Sequence, residues 1–101
     1  MKKPPKEISL SIIILTYNVE KVIEACLESV LKYLKNDWEV IAIDNNSTDK
    51  TVEMLKKFQH DNFKIVLSDK NLGFAGGNNL AVKQAKGKYI LFLNPDTVVE
   101  E

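Results

Sequence analysis

Four short apolar runs, each ending at polar or acidic residues, organise this sequence. They cover residues 8–15, 39–43, 63–67 and 88–93 and are rich in Ile, Leu, Val and Phe. Such runs are typical of strands that are covered on both faces, as in parallel sheets. The 63–67 run alternates more weakly, and we therefore predict that it lies nearer a sheet edge.

Segments with helical periodicity separate the apolar runs. The first covers residues 19–35, where apolar positions recur at spacings of one, three and four, a wide stripe of period 3.6. The side chains of this stripe are expected to face the core. They are Val22, Ile23, Cys26, Leu27, Val30, Leu31 and Leu34.

Two further helices are predicted between the later runs. One covers about 48–59, with Ser47 or Thr48 as its N-terminal cap. The other covers about 77–86 and is expected to end at Gly87, as a C′ glycine. The resulting order is βαβαβαβ.

This alternation with short connections predicts an α/β fold of Rossmann-like type. It has a mostly parallel sheet, right-handed crossovers and helices on both faces. A doubly wound arrangement gives the strand order 3-2-1-4, and the winding direction reverses between strands 1 and 4, where a ligand crevice is expected. Residues 1–7 are predicted to be a disordered lead-in, and residues 8–101 to form one domain.

Composition narrows the classes of partner. The chain has 101 residues, and 14 Lys and Arg balance 14 Asp and Glu, so a basic surface for nucleic acid is not expected. No apolar run is long enough to span a membrane. The single cysteine, Cys26, is expected to be a core thiol. It fits a reducing compartment, and we expect a cytoplasmic protein.

Polar side chains follow three of the predicted strands, at the end of the sheet where parallel strands present their carboxyl ends to a ligand. Tyr17 and Asn18 follow strand 1, Asp44 follows strand 2, and Asp96 follows strand 4. Tyr17 is either a half-buried aromatic residue or the border of a nucleobase pocket. Asp44 needs donors, which a base N–H or ribose hydroxyls would supply. Asp96 is either a turn residue or a ligand of Mg²⁺ beside a diphosphate.

Two loops are open to more than one interpretation. Ser47, Thr48 and Asp49 are explained well by a strand-to-helix turn. The polar loop 68–76 contains glycines that are typical either of a flexible connection or of a helix entry that presents N–H groups to phosphate. The glycine spacing matches neither a P-loop nor a dinucleotide-binding fingerprint.

Taken together, four segments resemble the N-terminal half of family 2 glycosyltransferases, the inverting, nucleotide-sugar-dependent class with the GT-A fold. The resemblance runs from about residue 8 to the end of the chain, and the third segment looks most like the rhamnosyltransferase-like branch, which acts on cell-surface polysaccharide. The four segments are residues 11–18, 40–49, 71–79 and 87–97.

The resemblance implies a role for individual residues. Thr16 and Tyr17 would border the base pocket, and Asp44 and Asn45 would contact the nucleoside. Asn18, beside the crevice, would also belong to the nucleotide-sugar-binding residues. The residues along the nucleotide-sugar would be Gly73, Phe74, Gly77 and Asn78.

It also implies a divalent cation, Mg²⁺ or Mn²⁺. Asp96 corresponds to the last Asp of the family's metal-binding Asp-x-Asp motif. Asn94 stands where the first Asp usually lies, so it is only a second candidate ligand. Asn45 likewise stands where many relatives have Asp.

The expected function is transfer of a sugar from a nucleoside-diphosphate sugar to a hydroxyl of a saccharide or lipid-linked acceptor, in a full-length protein at the membrane periphery. The catalytic base is expected downstream of Glu101, so the 101 residues alone are predicted to be inactive and to be only the donor-binding part. One alternative is a non-catalytic nucleotide-binding or assembly fragment. Another is a sugar-phosphate nucleotidyltransferase. It is disfavoured because residues 16–20 supply neither a glycine nor a nearby cation. Whichever function holds, the 101 residues alone are expected to form a homodimer.

Overall fold

A computed structural model of the chain describes residues 7–100. The predicted lead-in, 1–7, therefore lies outside the described residues except for Glu7. The elements are β1 (Leu10–Thr16), α1 (Ile23–Lys32), β2 (Trp38–Asp44), α2 (Thr51–Lys57), β3 (Phe63–Leu67), α3 (Gly73–Gln84) and β4 (Tyr89–Leu93).

The four strands form one parallel sheet in the order β3-β2-β1-β4, which confirms the predicted topology. The chain moves outward from β1 to β3 and then crosses back to β4 on the other side of β1. Because right-handed crossovers in opposite directions lie on opposite faces, α1 and α2 cover one face and α3 covers the other. Within residues 7–100, no helix is long and apolar enough to cross a bilayer.

Each face of the sheet has its own apolar core. On the face of α1 and α2, side chains of β1 and β2 pack against Ile23, Leu27 and Leu55, all fully buried. On the face of α3, a smaller cluster forms around Ile13, Ile41, Ile43 and Ala81. The near-continuous apolar runs of β1 and β2 follow from this burial on both sides.

The first two helices are shorter than the periodicity predicted. Residues 19–22 form a turn before α1, and Val22 is 39% exposed instead of facing the core. The predicted capping of α2 by Ser47 or Thr48 is wrong, because the N-cap position is Lys50, without a side-chain cap. The Ser47 hydroxyl instead donates to Asp44 Oδ1 at 2.7 Å.

The third helix begins four residues earlier than predicted. Residues 73–76 were expected in a loop, yet they form the first turn of α3, which starts at Gly73 with a φ of 75°. The interpretation of Gly87 as a C′ glycine is also wrong. The helix ends at Gln84, and the residue that follows it, Ala85, is extended. Gly87 packs so closely on β1 that a Cβ there would lie 2.5 Å from Ser11 N.

Candidate functional site

The carboxyl ends of β1 and β2 are level and joined by side-chain hydrogen bonds. Thr16 pairs with Asp44 in the parallel register, and Thr16 Oγ1 donates to Asp44 Oδ1 at 2.7 Å. Ser47 adds two donors, its N–H to Asp44 Oδ2 at 2.8 Å and its hydroxyl to Oδ1 at 2.7 Å. Asp44 is only 1% exposed, and the donors that it needs are supplied inside the protein. Its contact with a nucleoside stays a prediction.

Asn18 ties the loop after β1 to the loop after β2. Its Oδ1 accepts from the N–H of Thr48 at 2.8 Å and of Asp49 at 3.3 Å, and its own N–H donates to Ser47 Oγ at 2.8 Å. Asn18 adopts a φ of 51°, in the left-handed region that Asn tolerates better than most residues. Its side chain therefore fixes the relative positions of the two loops.

Asp49 continues this connection toward α2. Its carboxylate accepts from the N–H and hydroxyl of Thr51 and from the N–H of Glu20. Burial acts to raise the pKa of Asp49, but the hydrogen bonds from Thr51 and Glu20 outweigh it and lower that pKa below its ordinary value. Asp49 is thus an anionic anchor of the loop pair.

Asn45 connects β2 to the start of α3. Its Nδ2 donates to Gly73 O at 3.0 Å, and its Oδ1 accepts from Leu72 N at 3.3 Å. Asn45 is 2% exposed. Gly77, one turn further along α3, approaches so closely that a Cβ there would lie 3.0 Å from Asn45 Nδ2. The amide therefore holds the glycine-rich turn against the sheet.

An apolar cavity of about 170 Å³ lies between the first turns of α3 and the end of β4. Phe74 and Phe92, which are 71% and 51% exposed, both line it, together with the nearly buried Asn78. Its remaining lining residues are Ile13, Leu15, Leu93, Asn94 and Pro95. Phe92 was not among the predicted site residues, because its position in an apolar run indicated only a strand.

The chain turns sharply after β4. Thr97 N donates to Asn94 O at 3.0 Å, which closes a turn that carries Asp96 at its surface. Cys26, fully buried as predicted, places its Sγ 3.9 Å from Asn94 O. Burial, and secondarily the charge of Asp96, raises the pKa of the Cys26 thiol to about 11. The thiol is therefore a core group with little thiolate character at neutral pH.

The residues at this turn fit a weakly held divalent cation. Among residues 7–100, no group of three or more His, Cys, Asp or Glu side chains could hold a metal by itself. Asp96 is exposed, and no hydrogen bond from the described part of the chain occupies its carboxylate. A single free carboxylate suits Mg²⁺ or Mn²⁺ that takes its other ligands from water and phosphates.

The predicted site residues thus divide into two groups. Tyr17 (47% exposed), Gly73, Phe74, Asn94 and Asp96 present surface to solvent. The others are buried or form internal hydrogen bonds, and they build the frame of the crevice: Thr16, Asn18, Asp44, Asn45, Gly77 and Asn78. Ser47 and Thr51 belong to the same frame, although the sequence indicated only a turn there.

A larger depression of about 680 Å³ lies at the opposite end of the sheet, lined by residues that include Ser9, Asp37 and Lys86. It borders the amino ends of the strands, whereas ligands of open α/β sheets bind at the carboxyl ends. Its position therefore does not favour it as the functional site.

Comparison with known proteins identifies the family. The family model described as "Glycosyl transferase family 2" matches residues 11–101. The UDP-Glc:alpha-D-GlcNAc-diphosphoundecaprenol beta-1,3-glucosyltransferase WfgD of Escherichia coli is 36% identical over 89 residues, which are 88% of this chain and 35% of WfgD. The poly(ribitol-phosphate) beta-N-acetylglucosaminyltransferase TarS of Staphylococcus aureus is 36% identical over 95 residues, 90% of this chain and 17% of TarS.

Solved structures agree with this identification. The structure of S. aureus TarS in complex with UDP-GlcNAc superposes with a TM-score of 0.81 at 36% identity, covering 88% of this chain and 27% of that one. The mannosyltransferase PcManGT from Pyrobaculum calidifontis, solved with GDP-Man and Mn²⁺, gives a TM-score of 0.84 at 23% identity, covering 98% and 33% of the two chains. The GT-A nucleotide-binding fold is confirmed, and the chain spans about a third or less of the length of these relatives.

Proposed function

The chain belongs to glycosyl transferase family 2, and we propose that it is the donor-binding part of an inverting glycosyltransferase. The full-length protein would transfer a sugar from a UDP-sugar to a hydroxyl of a saccharide or lipid-linked acceptor. The name of WfgD and the UDP-GlcNAc complex of TarS support uracil as the base of the donor. The rhamnosyltransferase-like branch stays a prediction, since both relatives carry other sugars in their names.

The observation that carries the proposal is the joined carboxyl ends of β1 and β2, with the exposed ring of Tyr17 beside them. We propose that Tyr17 borders the nucleobase and that Asp44 and Asn45 support the nucleoside side of the crevice. The first turn of α3 is held there by Asn45. Because the amino end of a helix presents unpaired N–H groups and a positive dipole, this turn would lie along the diphosphate.

Asp96, with Asn94 as a second candidate, would hold Mg²⁺ or Mn²⁺. Such an ion supplies charge neutralisation of a leaving diphosphate when it is bound. A general base must also deprotonate the acceptor hydroxyl, and we assign no such base among the 101 residues. We therefore propose that this chain binds the donor without transferring the sugar.

Calorimetric titration with UDP, in the presence of Mn²⁺, tests the proposal. We expect Tyr17→Ala to weaken UDP binding, because stacking of a base on an aromatic ring contributes about 1–3 kcal/mol. Tyr33→Ala is the matched control, since Tyr33 follows α1 at the other end of the sheet. Equal losses in both variants, or no UDP binding by the unmodified chain, would contradict the proposal.

A non-catalytic nucleotide-binding or assembly module is the second candidate. It is kept because the chain corresponds to only 35% of WfgD and 17% of TarS. Both candidates are consistent with a chain that binds UDP but transfers no sugar to an added acceptor. Transfer by a longer form that includes these residues would decide for the enzyme. A cytoplasmic location at the membrane periphery and self-association are further proposals.

A further inference from the structure

Helix α1 holds the segment that follows β4 at two points. Ser29 Oγ accepts a hydrogen bond from Val99 N at 2.9 Å, and the side chain of Val99 packs against the apolar core on the face of α1 and α2. One turn earlier in α1, Cys26 Sγ lies 3.9 Å from Asn94 O. Residues three apart in a helix lie on the same side of it. The stretch from Asn94 to Val99 is therefore attached to one side of α1 at both of its ends.

Between these two points lies the turn that carries Asp96. Thr97 N donates to Asn94 O at 3.0 Å, which closes a four-residue turn with Pro95 at its second position. Proline is favoured at that position because its ring fixes φ near the value that such turns require. The turn is thus restrained internally, and the position of the Asp96 carboxylate depends on how the turn is attached to the rest of the fold.

The Ser29 hydroxyl is itself held in place by a second hydrogen bond. It donates to Cys26 O at 2.8 Å, a bond that serine and threonine can form inside helices. With its hydrogen engaged there, the oxygen is free to accept from Val99 N. Serine favours a helix less than alanine does, so helix formation does not account for a serine at this position. The contact with the segment after β4 does.

We propose that Ser29 is a positioning residue for the divalent cation, because it fixes the turn after β4 from which Asp96 would bind the ion. The inference rests on the proposed function, in which Asp96 holds Mg²⁺ or Mn²⁺ beside a diphosphate. Such an ion is shared between one or two carboxylates and the phosphates of the substrate, so the carboxylate must lie where the phosphate oxygens also reach. Without the Ser29 hydrogen bond, the turn would be attached more loosely, and ordering it on binding would reduce the affinity.

This role can be separated from binding of the nucleoside. The hydrogen bonds of Ser29 go to Cys26 and Val99, and neither involves Tyr17, Asp44 or the first turn of α3. Loss of the hydroxyl should therefore leave the affinity for UDP without metal unchanged and weaken only the metal-dependent part. A residue that merely stabilises the fold would not divide the affinity in this way.

Calorimetric titration with UDP, in Mn²⁺ and in EDTA, measures the two parts. We expect Ser29→Ala to bind UDP in EDTA as the unmodified chain does. Its gain in affinity from Mn²⁺ should fall, since the loss of one hydrogen bond changes an equilibrium by about two- to tenfold. Ser29→Thr retains the hydroxyl and should retain the gain. Ser29→Val has the shape of that threonine without the acceptor, and it should lose the gain as Ser29→Ala does.

Glu53→Gly controls for a general loss of stability. Glu53 is exposed on α2, and a glycine inside an exposed helix costs about as much stability as one lost hydrogen bond. This variant should keep the gain in affinity from Mn²⁺.

The outcomes separate this proposal from the proposed function. If the unmodified chain binds no UDP, or binds it equally in Mn²⁺ and in EDTA, metal-dependent donor binding fails, and the role of Ser29 is overturned with it. If the unmodified chain gains affinity from Mn²⁺ and Ser29→Ala keeps that gain, or loses no more of it than Glu53→Gly does, only the role of Ser29 is overturned.

Discussion

Thr16 and Asp44 are register partners at the carboxyl ends of β1 and β2, and the Thr16 hydroxyl donates to the Asp44 carboxylate at 2.7 Å. Both side chains are at most 1% exposed. The Asp44 carboxylate, at the carboxyl end of β2, thus joins two strands and the loop at Ser47. The crevice is a preformed, hydrogen-bonded frame rather than a set of free side chains.

This frame predicts that Asp44→Ala destabilises the fold. The substitution leaves Thr16 Oγ1 and both Ser47 donors without their acceptor. Loss of a buried charged acceptor costs about 1–3 kcal/mol or more. Urea denaturation should therefore show a lower free energy of unfolding, together with weaker UDP binding.

Thr48→Ala is the control for Asp44→Ala. Its hydroxyl makes one long contact of 3.4 Å with Asn18 and the residue is exposed, so we expect a change within about 0.5 kcal/mol. The opposite ranking of the two variants would show that the hydrogen bonds around Asp44 contribute little to stability.

The strands and their order could be predicted from the sequence because burial on both faces leaves continuous apolar runs. The bounds of β3 match the prediction, and the other three strands differ by one or two residues. Helix starts were harder. α1 and α2 have no side-chain cap, so no residue marks where they begin, and glycines in α3 obscure its first turn.

The position of the candidate site could be predicted from the sequence, but its hydrogen bonds could not. The strand ends predicted which segments meet. However, a pattern of polar residues does not reveal which donors and acceptors pair with one another. Asn18 and Asn45 were predicted as ligand contacts, and the structure places their amides in hydrogen bonds to neighbouring loops. Their contacts with the donor remain predictions.

The hydrogen bonds and the ion pair of Glu39 predict that the free energy of unfolding decreases in acid. Although burial acts to raise the pKa of Glu39, hydrogen bonds from Ser11 and Lys86 N and the charge of Lys64 lower it below the ordinary value. A carboxyl whose folded pKa is lowered contributes stability above its unfolded pKa and loses it as pH falls through the folded one. The free energy of unfolding should therefore decrease from pH 5 downward, about where an unfolded Glu begins to take up protons.

Denaturation series at several pH values measure this effect. Glu39→Gln should show a shallower acid dependence than the unmodified chain, because the titrating group is gone. Glu28→Gln, at an exposed position of α1, should keep the original dependence. Identical pH profiles for Glu39→Gln and the unmodified chain would remove Glu39 as the cause.

The close approach of Gly77 to the sheet predicts that Gly77→Ala disturbs the contact between α3 and the sheet. The new Cβ would lie 2.5 Å from Leu15 Cδ1 and 3.0 Å from Asn45 Nδ2. Overpacking of this kind costs about 1–3 kcal/mol, partly offset by the higher helix propensity of Ala. Thermal denaturation should show a larger loss than for Gly76→Ala, whose Cβ would crowd only Leu72. A more stable Gly77→Ala variant would mean that Leu15 and Asn45 rearrange at little cost.

The turn at Asp96 predicts that metal strengthens nucleotide binding. One exposed carboxylate holds a divalent ion weakly, but a diphosphate adds oxygen ligands to the same ion. UDP should therefore bind at least tenfold more tightly with Mn²⁺ than with EDTA, a difference of about 1.4 kcal/mol.

Three variants test the role of Asp96 in this difference between the two UDP affinities. In Asp96→Ala the affinities in Mn²⁺ and in EDTA should become equal. Asp61→Ala, at an exposed acid before β3, should retain the difference. Asn94→Asp should enlarge it, because a second carboxylate adds charge next to the first. Equal UDP affinity of the unmodified chain in Mn²⁺ and in EDTA would exclude Asp96 from metal-dependent donor binding in this chain.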